Sequence, residues 1–158
     1  MTEDTPDDVV IPALLRAARG SYGAVIAQSL EAAGIDDLPR HGAFVLGGMA
    51  NRGGSAADMI AGLGISKQRA SQLVDTLVLR GYLTREVNAE DRRRTTILLT
   101  DRGRAAAAEV RAAVEQVDAE LAQMLSPAEL AGLRTGLVAL SQIRDRHAAG
   151  RPAGWSAD

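Results

Sequence analysis

The sequence predicts a mainly α-helical protein with one small β-hairpin. Apolar residues recur at helical spacing over most of the chain, and residues that start or end helices bracket these stretches. One pair of short segments rich in β-branched residues lies within residues 82–100. With 158 residues and 46% hydrophobic content, the chain can bury the core of one compact domain or of two small lobes that share helices.

The first predicted helix covers about residues 9–34 and follows an acidic leader, residues 1–8, that we expect to be disordered. Apolar positions from Ile11 onward recur there at steps of four and three, and a glycine at position 34 ends the pattern. A second helix is predicted over about residues 39–51, and residues 52–54, Arg-Gly-Gly, break it. These two helices precede the most informative part of the chain.

A helix-turn-helix is predicted next. Ser55 and Asp58 form a capping-box pattern that opens a short helix, which ends near the glycines at positions 62 and 64. Ser66 caps a further helix over about residues 67–80, and Gly81 is placed as its C-terminal stop. Two helices of this length joined by a tight turn favour a unit that places its second helix in a DNA groove.

The hairpin and two long helices complete the chain. Strands are predicted over residues 82–87 and 95–100, with a seven-residue loop, 88–94, between them. A helix then starts near Thr100, and its apolar residues follow a heptad pattern: Val110, Val114, Val117, Leu121 and Met124. Ser126-Pro127-Ala128-Glu129 opens the last helix, which carries an apolar stripe from Leu130 to Leu140. Residues 149–158 are predicted to form a loose tail.

The helix over residues 67–80 divides into a polar half and an apolar half. At 100° per residue, one half holds Lys67, Gln68, Ser71, Gln72 and Asp75, and the other holds Ala70, Leu73, Val74 and Leu77. An ordinary solvated helix would show a similar division. Gln, Ser and Lys side chains can all bind base edges or phosphates, however, and Glu is missing, so this composition favours contact with DNA.

The hairpin loop carries Asp91, Arg92, Arg93 and Arg94. An extended loop with arginines at its end suits the narrow minor groove, whereas the alternative is a solvated run of charge. Asp91 would orient a neighbouring guanidinium, since a carboxylate that faced phosphate would repel it. Residues 51–104 contain ten Lys/Arg against six Asp/Glu, a local charge of +4 in a chain of net charge −2. Positive charge is therefore concentrated in this segment.

The chain contains four motifs in this order: Gly64 to Asp75, Arg80-Gly81-Tyr82-Leu83, Asp91-Arg92-Arg93 and Leu99-Thr100-Asp101-Arg102-Gly103. Together they resemble the MarR family of bacterial transcriptional regulators. The similarity extends over nearly the whole chain in element order. It implies a single MarR-like domain over residues 9–148, with a winged helix-turn-helix lobe at about 39–100 and dimerisation helices at about 9–34 and 101–148. One departure lies at residues 52–54, where family members often carry a short strand, so the third strand of the wing sheet is expected to be weak.

The resemblance implies a homodimeric, sequence-specific regulator of transcription, usually a repressor, that reads a pseudo-palindromic double-stranded DNA site and is released by a small, often aromatic, ligand. The predicted DNA-binding residues are Ser66, Lys67, Gln68, Arg69, Ser71 and Gln72 in the recognition helix, with Asp91, Arg92, Arg93 and Arg94 in the wing. The candidate lining of an effector pocket is Tyr22, His41 and Phe44; Tyr22 and Phe44 can alternatively be core residues, and His41 can cap a helix. The predicted dimer interface includes Ile11, Leu15, Val114, Val117, Leu121, Leu133 and Leu137.

Other classes of function find little support in the sequence. Cysteine is absent and only two histidines occur, which disfavours a metal sensor, and neither a zinc-peptidase motif nor a phosphate-binding loop is present, so we expect no enzyme, no catalytic residues and no cofactor. A winged-helix module that binds only proteins and, with less support, a small enzyme are the alternatives. Because no signal peptide or membrane span is visible, a cytoplasmic protein is expected.

Overall fold

A computed structural model describes residues 9–52, 55–61, 63–87 and 95–149 of the chain. The helices are α1 (Ile11–Ala32), α2 (Gly42–Arg52), α3 (Ala56–Ala61), α4 (Lys67–Leu79), α5 (Asp101–Met124) and α6 (Pro127–Ala149), and the strands are β1 (Leu83–Val87) and β2 (Thr95–Leu99). The predicted mainly α fold with one hairpin is confirmed. The chain divides after Val117 into two compact units, the first holding α1 to most of α5 and the second holding the end of α5 and α6.

Two glycines end helices as the sequence predicts. After α4, the Gly81 amide donates to the Val78 carbonyl at 2.9 Å and the Tyr82 amide donates to the Leu77 carbonyl at 2.9 Å. Gly81 itself has φ +73°, the left-handed conformation in which a side chain would be strained. Gly34 has φ +71° and closes α1 with the same pair of hydrogen bonds. Both helix ends therefore form Schellman motifs.

The second helix begins later than the sequence predicted. Periodicity placed its start near Pro39, but the Gly42 amide donates to the Pro39 carbonyl at 2.8 Å in a turn, and His41 has φ +70°. A left-handed residue cannot continue a right-handed helix, so α2 begins at Gly42. The His41 carbonyl then accepts from the Val45 amide at 3.1 Å, as the first hydrogen bond of α2.

One core unites the elements of the first unit. Its buried members come from α1 through α5, and Tyr82, Leu46, Leu77, Leu83 and Val45 are the largest fully buried side chains. On α5 the buried face is made of small residues and one valine: Gly103, Ala106, Ala107, Val110 and Ala113. Val110 opens the heptad pattern of the sequence but is buried in this core, so the solvent-accessible part of that pattern begins only at Val114.

The two strands pair antiparallel from Leu83 opposite Leu99 to Val87 opposite Thr95. Among the described residues the sheet has these two strands and no third one. Arg52 still belongs to α2, and residues 53 and 54 lie outside the described part of the chain. The acidic leader 1–8, the hairpin loop 88–94 and the tail from residue 150 lie outside it as well.

The second unit consists of the end of α5 and all of α6. Ser126 and Glu129 form the predicted capping box: the Ser126 amide donates to Glu129 Oε2 at 2.8 Å, and the Glu129 amide donates to Ser126 Oγ at 3.4 Å. These hydrogen bonds from Ser126 lower the pKa of the Glu129 carboxyl. None of the helices in the described part of the chain combines the length and the apolar character that a bilayer span requires.

Candidate nucleic-acid interface

Local hydrogen bonds fix the start of both helices of the predicted helix-turn-helix. The Ser55 amide donates to Asp58 Oδ2 at 3.0 Å, and the Asp58 amide donates to Ser55 Oγ at 3.2 Å, so both predicted capping partners of α3 are in place. Hydrogen bonds from Ser55 lower the pKa of the Asp58 carboxyl. Gly64 has φ +66° in the turn, and Ser66 Oγ accepts from the Arg69 amide at 3.3 Å to cap α4.

The predicted reading face of α4 is exposed. Leu73 and Leu77 are buried in the core and fix the rotation of the helix about its axis. The opposite side of the first two turns carries the six predicted base- and phosphate-binding residues, all of them solvent exposed: Ser66, Lys67, Gln68, Arg69, Ser71 and Gln72. This geometry leaves amide, hydroxyl and cationic groups available to a partner along about 10 Å of helix, at about 1.5 Å per residue.

Asp75 has a partner that the helical wheel did not reveal. The sequence placed it on the free half of α4, and the structure shows its carboxylate in an ion pair with Arg85 of β1. Both side chains are about half exposed, 54% for Asp75 and 48% for Arg85. Such a pair adds little stability in water, but it masks the one carboxylate on this face of the helix.

A shallow depression of about 540 Å³ lies between α3, α4 and the hairpin. Its floor is apolar, with residues such as Ile60, Ile65 and Val74, and its rim carries Lys67, Ser71 and Arg85. Two cationic side chains, Lys67 of α4 and Arg85 of β1, thus border this depression, and Arg85 is the one paired with Asp75.

The wing residues Asp91, Arg92, Arg93 and Arg94 lie outside the described residues. What the structure does describe is their support: β1 and β2 pair in register up to Val87 and Thr95, the residues between which the loop begins and ends. The role of the four residues in DNA binding stays a prediction.

The three effector-pocket candidates differ in their surroundings. Tyr22 and His41 are partly buried, whereas Phe44 on α2 is 52% exposed, so the alternative that Phe44 is a core residue is wrong for the single chain. Burial lowers the pKa of His41, and the neighbouring charges of Arg40 and Arg19 lower it further. The imidazole is therefore neutral at neutral pH.

Within the described residues no cluster of three or more His, Asp or Glu could hold a metal ion.

The predicted dimer residues lie at or near the surface. Ile11, Leu15, Leu133 and Leu137 are exposed, and Val114, Val117 and Leu121 are partly buried. None of them belongs to the buried core of the first unit. Their role in dimerisation stays a prediction.

The sequence profile of the MarR family matches residues 36–94, which include α2, the helix-turn-helix and the start of the hairpin. Over this segment the chain is similar to the MarR family. Solved structures of MarR regulators share its fold. MepR of S. aureus in complex with DNA is 21% identical over 85% of this chain and 98% of MepR, with a TM-score of 0.67. A search of curated proteins gave no match.

Two further structures extend this fold comparison. BpsR of Bordetella bronchiseptica is 23% identical over 89% of this chain and 98% of BpsR, with a TM-score of 0.63. RV1404 of Mycobacterium tuberculosis is 26% identical over 96% of this chain and 99% of RV1404, with a TM-score of 0.61. The chain therefore spans nearly the full length of these proteins, and the winged-helix fold class predicted from the sequence is confirmed.

Proposed function

We propose that this chain is a homodimeric, sequence-specific DNA-binding regulator of transcription of the MarR type. The observation that carries the proposal is the first half of α4, where the core fixes the helix and leaves six polar or cationic side chains exposed with no carboxylate among them. Gln and Arg side chains can bind base edges in pairs of hydrogen bonds, and Ser and Lys can bind phosphates. We also propose a cytoplasmic location and no enzymatic activity, as is typical of MarR-family regulators.

Solved relatives support the same function. MepR has been solved in complex with DNA and with ethidium bromide, and the BpsR structure concerns regulation of its DNA binding by 6-hydroxynicotinic acid. For this chain we extend the proposal to release from DNA by a small effector of aromatic character. Tyr22, His41 and Phe44 are the side chains that we propose to bind it, and the exposed Phe44 ring is accessible to such an effector.

A module that binds proteins rather than DNA is the competing function. The two differ in their response to salt, because phosphate contacts release counterions and make log affinity fall linearly with log salt concentration. A duplex selected from random sequences by the wild-type protein serves as the probe, and fluorescence anisotropy measures its affinity between about 50 and 200 mM salt. Binding without salt dependence, or no binding to any duplex, would favour the protein-binding module.

A variant of the wing loop gives the most discriminating test of DNA binding. In the double variant Arg92→Ala/Arg93→Ala we expect weaker binding to every duplex. The slope of log affinity against log salt concentration should be shallower by about 0.9 for each phosphate that the variant no longer neutralises. The double variant Arg134→Ala/Arg146→Ala removes the same charge from exposed positions on α6 and should leave the slope unchanged. An unchanged slope in the wing variant would mean that the loop is a solvated turn that does not contact DNA.

A further inference from the structure

Asp37, in the loop between α1 and α2, binds three side chains from two other segments, the connection between α4 and β1 and the start of α5. Its carboxylate accepts hydrogen bonds from the Tyr82 hydroxyl and from Arg102 Nη2, the latter at 3.0 Å. Its backbone carbonyl accepts from the Arg80 guanidinium. We refer to Asp37, Arg80, Tyr82 and Arg102 as the Asp37 cluster.

The other members of the Asp37 cluster also bind one another. Arg102 donates to the Arg80 carbonyl, and its guanidinium carbon lies 4.3 Å from the centre of the Tyr82 ring. A cation in this position is attracted to the ring face. Tyr82 is fully buried, so its hydroxyl end is the only polar part of the side chain that must be satisfied, and Asp37 satisfies it.

The charge states of the pair are well defined at neutral pH. Burial and the hydrogen bond to Asp37 raise the pKa of Tyr82 to about 12, so the phenol stays protonated and donates. Hydrogen bonding from Tyr82, followed by the charge of Arg102, lowers the pKa of the Asp37 carboxyl, so it stays ionised and accepts. Charge-assisted hydrogen bonds of this kind are the stronger ones in proteins.

The Asp37 cluster connects the predicted reading lobe to the predicted dimerisation helices. Arg80 caps the C-terminus of α4, Tyr82 precedes β1, and Arg102 lies in the first turn of α5. Asp37 itself follows α1. The ends of the recognition helix and of the wing strand are thus bound to the chain segments that lead out of α1 and into α5.

We propose that Asp37 is a positioning residue that sets the orientation of each recognition helix relative to α1 and α5, and so the half-site spacing that the dimer accepts. The proposal rests on the proposed DNA-binding function. A dimer with rigidly held reading lobes tolerates one separation of its half-sites, about 34 Å from centre to centre. Removal of the Asp37 carboxylate leaves α4 and its side chains intact but loosens their connection to α1 and α5.

The test compares Asp37→Ala with Asp36→Ala, a matched control that removes an exposed carboxylate one residue away from the cluster. The probes are the selected palindromic duplex and versions with one or two base pairs added or removed between the half-sites. Each added base pair rotates one half-site by about 35° relative to the other. Thermal melting of both variants measures their stability separately.

We expect the wild type and Asp36→Ala to lose affinity by a factor of about ten or more for each base pair added or removed, a loss similar to that of a mismatched base pair. Asp37→Ala should bind no more than about threefold more weakly across the same series, because its reading lobes can adjust. Should Asp37→Ala fail to fold, Tyr82→Phe keeps the buried ring and removes only the donor to Asp37. The affinity of Tyr82→Phe should also depend less on half-site spacing than that of the wild type, with a smaller change than in Asp37→Ala.

The outcomes separate the two proposals. If the wild type binds no duplex, the proposed function is wrong. If the wild type binds but accepts every spacing equally, or if Asp37→Ala keeps the wild-type profile at uniformly lower affinity or lower melting temperature, the positioning role is overturned while DNA binding stands.

Discussion

Gly103 allows α5 to start directly against the backbone of residue 82. A Cβ atom built at position 103 would lie 2.1 Å from the Tyr82 carbonyl oxygen, a separation that no real Cβ atom reaches. The same carbonyl accepts from the Thr100 amide at 3.1 Å, and Thr100 Oγ1 accepts from the Gly103 amide at 3.0 Å while lying 2.6 Å from the Gly81 carbonyl. The segment Leu99-Thr100-Asp101-Arg102-Gly103 therefore forms a close backbone junction between the end of α4 and the start of α5.

Replacing Gly103 with Ala should destabilise the fold by about 1–3 kcal/mol, because the backbone atoms that the new methyl meets cannot turn aside. Urea unfolding followed by circular dichroism measures the change. Gly132→Ala is the control: it is a glycine inside α6 with open space where its Cβ would lie. Helix propensity alone should make that variant about 0.5–1 kcal/mol more stable. Equal effects on both variants would contradict the assignment of Gly103 to a close backbone approach.

At the scale of elements, local sequence signals such as capping residues predict most of the helix boundaries. Capping residues and periodicity predicted α4 to within one residue, because Ser66 and Gly81 act through hydrogen bonds to nearby backbone. Local signals failed at α2, where the left-handed φ of His41 delays the helix, since nothing in the residue type demands that conformation. Periodicity likewise gave no indication that the buried face of α5 would be built mainly from Gly and Ala.

The contacts that could not be predicted from the sequence join elements far apart in the chain. Asp75 was placed by helical geometry on the free half of α4, and only the packing of β1 shows that Arg85 reaches it. Asp37 lies in an ordinary acidic loop in the sequence, yet it binds Tyr82, 45 residues later, and Arg102, 65 residues later. Periodicity and capping patterns describe single elements, so partners in different elements stay hidden until the fold brings them together.

The recognition helix also gives a prediction at the element scale. Because Gln72 is exposed on the first two turns of α4, Gln72→Ala should weaken binding to the selected duplex by roughly 1–3 kcal/mol if the amide binds a base in a bidentate contact. Affinity for random duplex should hardly change, since phosphate contacts carry that binding. Fluorescence anisotropy on both duplexes measures the two effects.

A matched control for Gln72→Ala is Gln123→Ala, which makes the same change at an exposed position of α5. It should alter neither affinity. Equally weakened binding to both duplexes for Gln72→Ala would reassign this side chain to the DNA backbone, and no change on either would mean that this part of α4 does not read DNA.

At the scale of the whole molecule, apolar side chains are exposed along two of the helices. On α1 and just before it they include Val10, Ile11, Leu14 and Leu15, and on α6 they include Leu133, Leu137, Val138, Leu140 and Ile143. Scattered exposed leucines are ordinary, but apolar side chains repeated along whole helices indicate a surface that a partner covers. A second copy of the chain is the simplest partner, because closed twofold symmetry buries the same surface on both subunits.

We therefore expect a dimer in sedimentation experiments at micromolar concentration, and we expect Leu133→Glu/Leu137→Glu to shift it to monomer. Each introduced carboxylate would be buried without a partner in the interface, at a cost of about 3–5 kcal/mol. Leu79→Glu is the matched control, since Leu79 is 88% exposed on α4, outside the predicted interface, and this variant should remain dimeric. Disruption of the dimer should also remove the preference for two half-sites about one helical turn apart, leaving only the weaker binding of single half-sites. A wild-type monomer that binds the palindromic duplex with full affinity would contradict this assembly.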